Sequence, residues 1–312
     1  MSKKTLSIVI PAYREERNIS YIYSELLPIL ESLTHYKYEI IFVNDGSPDR
    51  TWHEIETLCE TDDRIRGVNL SRNFGKELAI TAGLEHSHGD AVITLDADGQ
   101  HPVDRIPDFI REWESGYDVV YNKRPETTGA SWYKKKTSQF FYKMFNAISE
   151  FQLEPGTTDY RLIDRAVVDA YLRFSEKNRM YRGLIDWLGF SKKALIFDAK
   201  TRLHGEATYD YRMLIRLALH SLTSFSSFPL KLVGYMGFLI VLFGSIALFF
   251  QFIDKIGITQ FGFSNIGIVI VINTIMVGVV LMSLGLIGIY IANIHEEVIG
   301  RPLYIVKKKR NF

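Results

Sequence analysis

Asp96-Ala97-Asp98 places two carboxylates two residues apart, directly after the apolar run Ala91–Leu95. Carboxylates at that spacing can present oxygens to one hard divalent cation, Mg2+ or Mn2+, which also takes phosphate oxygens. The same tripeptide serves equally well as a solvated loop or a helix cap. Asn44-Asp45-Gly46-Ser47 has the composition of a turn, and its Asp45 can accept a hydrogen bond from a base N–H or a sugar hydroxyl. Arg72, Lys76, Arg124 and Arg202 can neutralise a diphosphate, Arg through paired donors and Lys as a point charge. Taken singly, each also reads as a solvated surface residue. Asp159, in Thr157-Thr158-Asp159-Tyr160-Arg161, can act as a base, orient another group, or cap a helix starting near Asp164.

These groups need a scaffold, and the apolar runs supply one. Leu6–Pro11, Tyr38–Asn44, Gly67–Leu70, Ala91–Leu95 and Asp118–Tyr121 read as short buried strands. Helical stretches lie between them, near Glu16–Leu33, Thr51–Cys59, Gly75–Glu85 and Asp104–Glu114. That alternation predicts an α/β fold, a mostly parallel sheet with helices on both faces. Ligands bind such sheets at the carboxyl ends of the strands. Tyr13 and Glu15 follow the first strand, Asp45 the second, Arg72 and Lys76 the third, and Asp96, Asp98 and Gln100 the fourth. Each cluster of candidate residues falls just past a strand end.

The last quarter of the chain has a different character. Leu232–Ile253 is a run of 22 uncharged residues, and a second uncharged stretch between Lys255 and His295 is densest over Gly267–Ile294. About 20 apolar residues suffice to cross a bilayer core, so two spans are expected, joined by the short loop Asp254–Ser264. Arg301 and Lys307–Arg310 follow the second run, and Arg212, Arg216 and Lys231 precede the first. Positive charge marks the cytoplasmic side, which predicts a hairpin with the N-terminal domain and both termini in the cytoplasm, at an inner or plasma membrane. Tyr209–Phe228 divides into a basic stripe of Arg212, Arg216 and His220 and an apolar remainder, as in a helix lying in the headgroup layer or one packed on the soluble domain. The expected division is therefore 1–208, a cytoplasmic domain; 209–230, an amphipathic segment; 231–295, the hairpin; and 296–312, a basic tail. Lys3 and Lys4 precede only a short apolar run, so no signal peptide is expected.

Several function classes are disfavoured. The chain has 37 Lys and Arg against 36 Asp and Glu, a balance unlike that of a nucleic-acid binder. Lys134–Lys136, beside Trp132, Tyr133 and Phe140, suit anionic headgroups or a phosphorylated lipid better than nucleic acid. Cys59 stands alone, so neither a disulfide framework nor a cysteine-rich zinc site can form. Neither a dinucleotide fingerprint nor a P-loop is present, and no nucleophile elbow supports acyl-enzyme chemistry.

Taken in order, Ile8–Glu15, Val43–Ser47, Leu70–Glu77 and Asp96–Pro102 resemble the nucleotide-sugar domain of family 2 glycosyltransferases with the GT-A fold. Thr158–Arg165 and Arg202–Glu206, followed by two apolar runs, resemble the branch that glycosylates polyprenyl phosphate: bactoprenol glucosyltransferases and dolichol-phosphate mannose synthases. The resemblance implies that Pro11, Tyr13, Glu15 and Asp45 line the base and ribose pocket, with Arg72 and Lys76 at the donor. It further implies that Asp96 contacts the nucleotide, Asp98 ligates Mg2+ or Mn2+, Gln100 sits near the donor sugar, Arg202 faces the diphosphate and Asp159 lies near the reacting centre. The family often continues Gly-Glu-Ser-Lys-Tyr, where this chain has Gly205-Glu206-Ala207-Thr208-Tyr209. Arg212 or Lys134 can take the place of the missing Lys, and Arg124, Lys134, Arg161 and Arg212 are the candidates for holding the lipid phosphate.

An inverting hexosyl transfer is implied, with UDP-glucose the favoured donor and undecaprenyl or dolichyl phosphate the acceptor. An ionised phosphate nucleophile has little need of a strong base. Two other readings are a membrane-bound transferase acting on a glycolipid or glycan, and a non-catalytic scaffold for a lipid flippase. Expected partners beyond the substrates are the bilayer, further copies of the chain, a flippase and a downstream glycosyltransferase.

Overall fold

The computed structural model describes residues 3–123, 154, 156–177, 179–197 and 265–312, with scattered positions between 235 and 253. Two compact units are present, one built mainly from residues 1–208 together with 301–312, the other mainly from 209–300.

The first unit is built on an eight-stranded sheet. Its elements run β1 (Thr5–Ala12), α1 (Ile19–Ser32), β2 (Lys37–Asn44), α2 (Thr51–Thr61), β3 (Ile65–Leu70), α3 (Lys76–Glu85), β4 (Ala91–Thr94), α4 (Ile106–Glu114), β5 (Val119–Lys123), β6 (Thr157–Asp164), α5 (Arg165–Leu172), α6 (Tyr181–Trp187) and β7 (Lys192–Ile196), closed by β8 (Val306–Arg310). Across the sheet the order is β7-β5-β6-β4-β1-β2-β3-β8. Strands β4, β1, β2 and β3 are parallel neighbours, as the alternating pattern predicts. β6 runs antiparallel between β4 and β5, and β8 antiparallel along β3.

Strand side chains alternate between the faces, and both faces are apolar. Ile8 and Ile10 point to one face with Ile22, Leu26, Ile55 and Phe109 of α1, α2 and α4. Val9 points to the other, with Ile80, Val168 and Tyr181 of α3, α5 and α6. Burial on both sides is why these strands read as continuous hydrophobic runs. At the start of α5, Asp164 Oδ1 accepts from the Ala166 N–H at 2.9 Å, an N-cap. Its Oδ2 accepts from Trp113 Nε1 at 2.8 Å, which ties β6 to α4.

At the C-terminal end one expectation changes and another is only partly covered by the described residues. One described helix, α7 (Asn265–Val298), is long and apolar enough to cross a membrane, through Ile275–Ala292. At 34 residues it measures about 51 Å. Described positions in the first expected span, such as Tyr235 and Phe243, are helical but scattered, so most of that span, the expected loop up to Ser264 and the segment 209–230 lie outside the described residues. The basic stretch read as a tail is partly a strand. Val68 pairs with Lys309 and Gly67 with Arg310. Glu56 on α2 holds Arg310 at 2.9 Å and also pairs with Lys308, while the Asn311 amide donates to the Cys59 and Ile65 carbonyls at 2.8 Å.

Candidate active site

Antiparallel pairing sets the heart of the site. Thr94 of β4 is opposite Arg161 of β6, so two residues further on, past the end of β4, Asp96 comes alongside Asp159. Thr94 Oγ1 donates to the Asp159 carbonyl at 2.6 Å, fixing that approach. Lys76 opens α3 after Gly75, whose φ of 102° favours glycine. Its ammonium lies 2.6 Å from Asp96 Oδ1 and 2.7 Å from Asp159 Oδ2. Burial alone would lower the Lys76 pKa, but Asp96 and Asp159 outweigh it and hold the ammonium charged. Burial likewise pushes Asp159 up, yet Lys76 and Arg182 overcome it and bring its pKa down to about 2. A carboxylate held so low is a poor proton acceptor near neutrality.

The Asp96–Asp98 loop is braced from beneath. His101, 3% exposed, lies nearly parallel to the Tyr160 ring with centroids 5.0 Å apart. Its Nδ1 accepts from the Asp96 backbone N–H at 3.0 Å, which places the ring proton on Nε2. Burial pushes the imidazole pKa below its ordinary value, against the pull of Asp96. Asp98 is buried, and its Oδ1 accepts from the Gln100 N–H at 3.0 Å. Gly99 at φ 72° turns the chain between them.

The Asn44–Ser47 turn packs on the loop after β3. A side chain at Gly46 would fall 2.2 Å from the Arg72 carbonyl carbon, so only glycine fits. Asp45 accepts from the Phe74 and Gly75 N–H groups at 2.7 and 2.9 Å. Burial raises its pKa, against the pull of those amides and of Arg72. The donor-pocket role expected of Asp45 thus shares its oxygens with two backbone amides. Pro11 is buried in β1, while Tyr13 is exposed beneath the Arg14 guanidinium. Arg14 adopts φ 60°, and its N–H donates to Ser47 Oγ. Glu15 donates its N–H to Thr51 Oγ1 and accepts from Asn18 Nδ2. Arg72 is exposed and lies over the Phe74 ring.

Arg161 departs from the expectation of a lipid-phosphate contact. It is 1% exposed, its guanidinium sits near the Tyr121 and Tyr181 rings, and Nη2 donates to the Thr158 carbonyl. Position 161 shares the strand face of Ile163, so β6 directs it into the core rather than to a surface. Arg124, Lys134, Arg202 and Arg212 lie outside the described residues. Arg182 and Glu77, not singled out from the sequence, belong to the network: Arg182 Nε lies 3.1 Å from Asp159 Oδ1, and Glu77 accepts the Tyr181 N–H at 2.8 Å.

Among the described residues, no three His, Cys, Asp or Glu side chains converge as a metal cage. Asp96 and Asp98 do offer the hard oxygens that Mg2+ or Mn2+ prefers. Such ions are commonly held by one or two carboxylates with substrate phosphates completing the shell. The donor set fits a cation that arrives with a phosphorylated ligand.

The sheet is an α/β, GT-A-like one with carboxylates and a lysine gathered at strand ends. Residues 7–176 match the model described as glycosyl transferase family 2, and the chain belongs to that family: it is a glycosyltransferase. It is 35% identical over 305 residues to the bactoprenol glucosyl transferase of Shigella phage SfII, covering 97% of each chain. It is 39% identical to the uncharacterized glycosyltransferase YkcC of Bacillus subtilis, covering 97% of this chain and 93% of that protein. Among solved structures, glucosyl-3-phosphoglycerate synthase of Mycobacterium tuberculosis aligns over 70% of this chain and 78% of its own, with 18% identity and a TM-score of 0.45. Membership of an enzyme family leaves the scaffold reading without support.

Proposed function

We propose that this glycosyltransferase moves a hexose, glucose by preference, from UDP-glucose to polyprenyl phosphate at the cytoplasmic face of a membrane. The observation that carries the reading is Lys76 bridging Asp96 and Asp159 in a chain that aligns from end to end with bactoprenol glucosyl transferases. The apolar helix α7 supports a membrane-resident acceptor, and we read Leu232–Ile253 as its partner in a hairpin.

Transfer joins a phosphate oxygen of the acceptor to the anomeric carbon of the sugar. The bond from that carbon to the diphosphate breaks, and its electron pair leaves with UDP. Attack opposite the leaving group inverts the centre, and no covalent glycosyl-enzyme is needed. The acceptor phosphate is ionised near pH 7 and needs little deprotonation. What the chain must do is hold two anions together and compensate developing charge. We assign that task to Lys76, whose ammonium is held by the two carboxylates. His101 keeps the Asp96–Asp98 loop in shape through the Asp96 N–H. Asp98, with Asp96, would hold Mg2+ or Mn2+, which when bound supplies Lewis-acid stabilisation of the leaving diphosphate.

The test is direct. Purified protein is incubated with undecaprenyl phosphate, Mg2+ or Mn2+, and a panel of labelled nucleotide sugars. Label from UDP-glucose is expected in the organic phase, released by mild acid and lost with EDTA or Asp98→Asn. Label that enters only a glycan or an acid-stable lipid would overturn the reading.

A further inference from the structure

Asp159 stands between two cations, and the second has no place in the reaction as drawn so far. Lys76 contacts Oδ2, and Arg182 Nε lies 3.1 Å from Oδ1. Arg182 Nη1 donates to the Thr157 carbonyl at 2.9 Å, two residues before Asp159 on β6. The guanidinium therefore grips both the carboxylate and the backbone that carries it. Neither Asp159 Oδ1 nor Arg182 Nε completes a well-aligned hydrogen bond, so their attraction is that of an ion pair.

The element that delivers Arg182 is itself fixed. Arg182 is the second residue of α6, and Tyr181, the first, gives its N–H to Glu77 Oε2. Glu77 follows Lys76 on α3. The Tyr181 ring is fully buried, edge-on to Tyr171 at 5.6 Å, with its hydroxyl 3.3 Å from Thr94 Oγ1. Thr94 in turn bonds the Asp159 carbonyl. Consecutive residues of α3 thus secure both cations, Lys76 directly and Arg182 through α6.

We propose that Arg182 is a positioning residue for glycosyl transfer: it balances Asp159 from the side opposite Lys76 and so keeps the ammonium shared between Asp159 and Asp96. This rests on the transfer reading above. Without Arg182, Asp159 keeps Lys76 as its nearest cation and draws the ammonium away from Asp96. A misplacement of about 1 Å at a reacting centre can cost roughly 100-fold in rate. Arg182 Nη1 is bonded to the Thr157 carbonyl and Nε faces Asp159, so we assign its effect to Asp159 rather than to substrate.

Full-length wild type, Arg182→Gln and Arg182→Lys are compared in detergent with UDP-glucose, Mn2+ and undecaprenyl phosphate, and UDP·Mn2+ binding is measured by calorimetry. Arg182→Gln is expected to lower kcat by about 10- to 100-fold, with donor KM, UDP affinity and melting temperature near wild type. Arg182→Lys, which restores charge without the two-pronged grip, is expected to recover part of kcat. Wild-type kcat in Arg182→Gln would overturn the inference. So would loss of UDP affinity in step with kcat, or Arg182→Lys no better than Arg182→Gln. An inactive wild type with every donor and acceptor would instead overturn the transfer reading, and the Arg182 inference with it.

Discussion

Lys76 Nζ lies 2.7 Å from Asp159 Oδ2, joining the first residue of α3 to a strand 83 positions later in the chain. The contact turns a carboxylate that burial would neutralise into a permanent anion. It also presents a charged ammonium, 41% exposed along its side chain, beside Asp96. Lys76→Met is expected to reduce kcat by about 100-fold or more, the scale of losing one preorganised charge contact in an active site. Steady-state kinetics with saturating donor and acceptor measure it.

Asp98→Asn should weaken Mn2+ binding in the presence of UDP while leaving the fold intact, since the amide oxygen can still accept from the Gln100 N–H. Calorimetry of Mn2+ into protein with UDP checks this apart from turnover. Unchanged Mn2+ affinity would remove Asp98 from the metal site.

His101→Phe keeps a ring to stack on Tyr160 and removes the acceptor for the Asp96 N–H. An unmet backbone donor costs about 1–3 kcal/mol, so a lower melting temperature is expected together with reduced kcat. Restored acceptor chemistry in His101→Asn, without the stacked ring, should return less than full activity.

Stability should depend on pH through Glu77. Burial, with Asp159 nearby, raises its pKa to about 7 from 4.5. The folded protein then binds a proton that the unfolded chain releases between those values, so this group's contribution falls as pH rises from about 4.5 to about 7. Glu77→Gln keeps an acceptor for the Tyr181 N–H and has no proton to lose. The melting temperature of wild type minus that of Glu77→Gln should therefore decline across that window. Asp159 acts in the opposite sense: with its pKa at about 2, against 3.8, its contribution is lost only as pH falls below about 4.

Removal of residues 305–312 should lower the melting temperature and expose the β3 edge, whereas Glu56→Lys should do so more mildly. Exposed ion pairs contribute about 0.2–1 kcal/mol each, less than a paired strand. Limited proteolysis and thermal melting separate the two effects.

The parallel core was legible because its strands are buried on both faces and written as unbroken apolar runs. Leu6–Pro11 and Tyr38–Asn44 fall within β1 and β2 as observed. The strand containing Asp159 was not legible as one. Thr157–Asp164 mixes charged and apolar residues because its polar side chains find partners in other elements, Asp159 with Lys76 and Arg182 and Asp164 with Trp113. β8 was hidden for the opposite reason: Val306–Arg310 is so basic that it reads as solvated tail, and what holds it as a strand is distant in sequence, the β3 ladder and Glu56, 252 residues earlier than Lys308. The clustering of polar residues at strand ends singled out Lys76 and Asp96, which the structure brings together at 2.6 Å, whereas Asp159 was singled out only from its own local motif. Neither signal could locate Arg182, since α6 reaches Asp159 through tertiary packing that no local spacing encodes.

The return of β8 to the sheet has a mechanical corollary. The polypeptide leaves the catalytic unit before the apolar helix and rejoins it afterwards, so that helix is leashed at both ends. A single cut in the chain between positions 197 and 265 would therefore leave the C-terminal fragment still held to the sheet, through Val306–Arg310 paired beside β3.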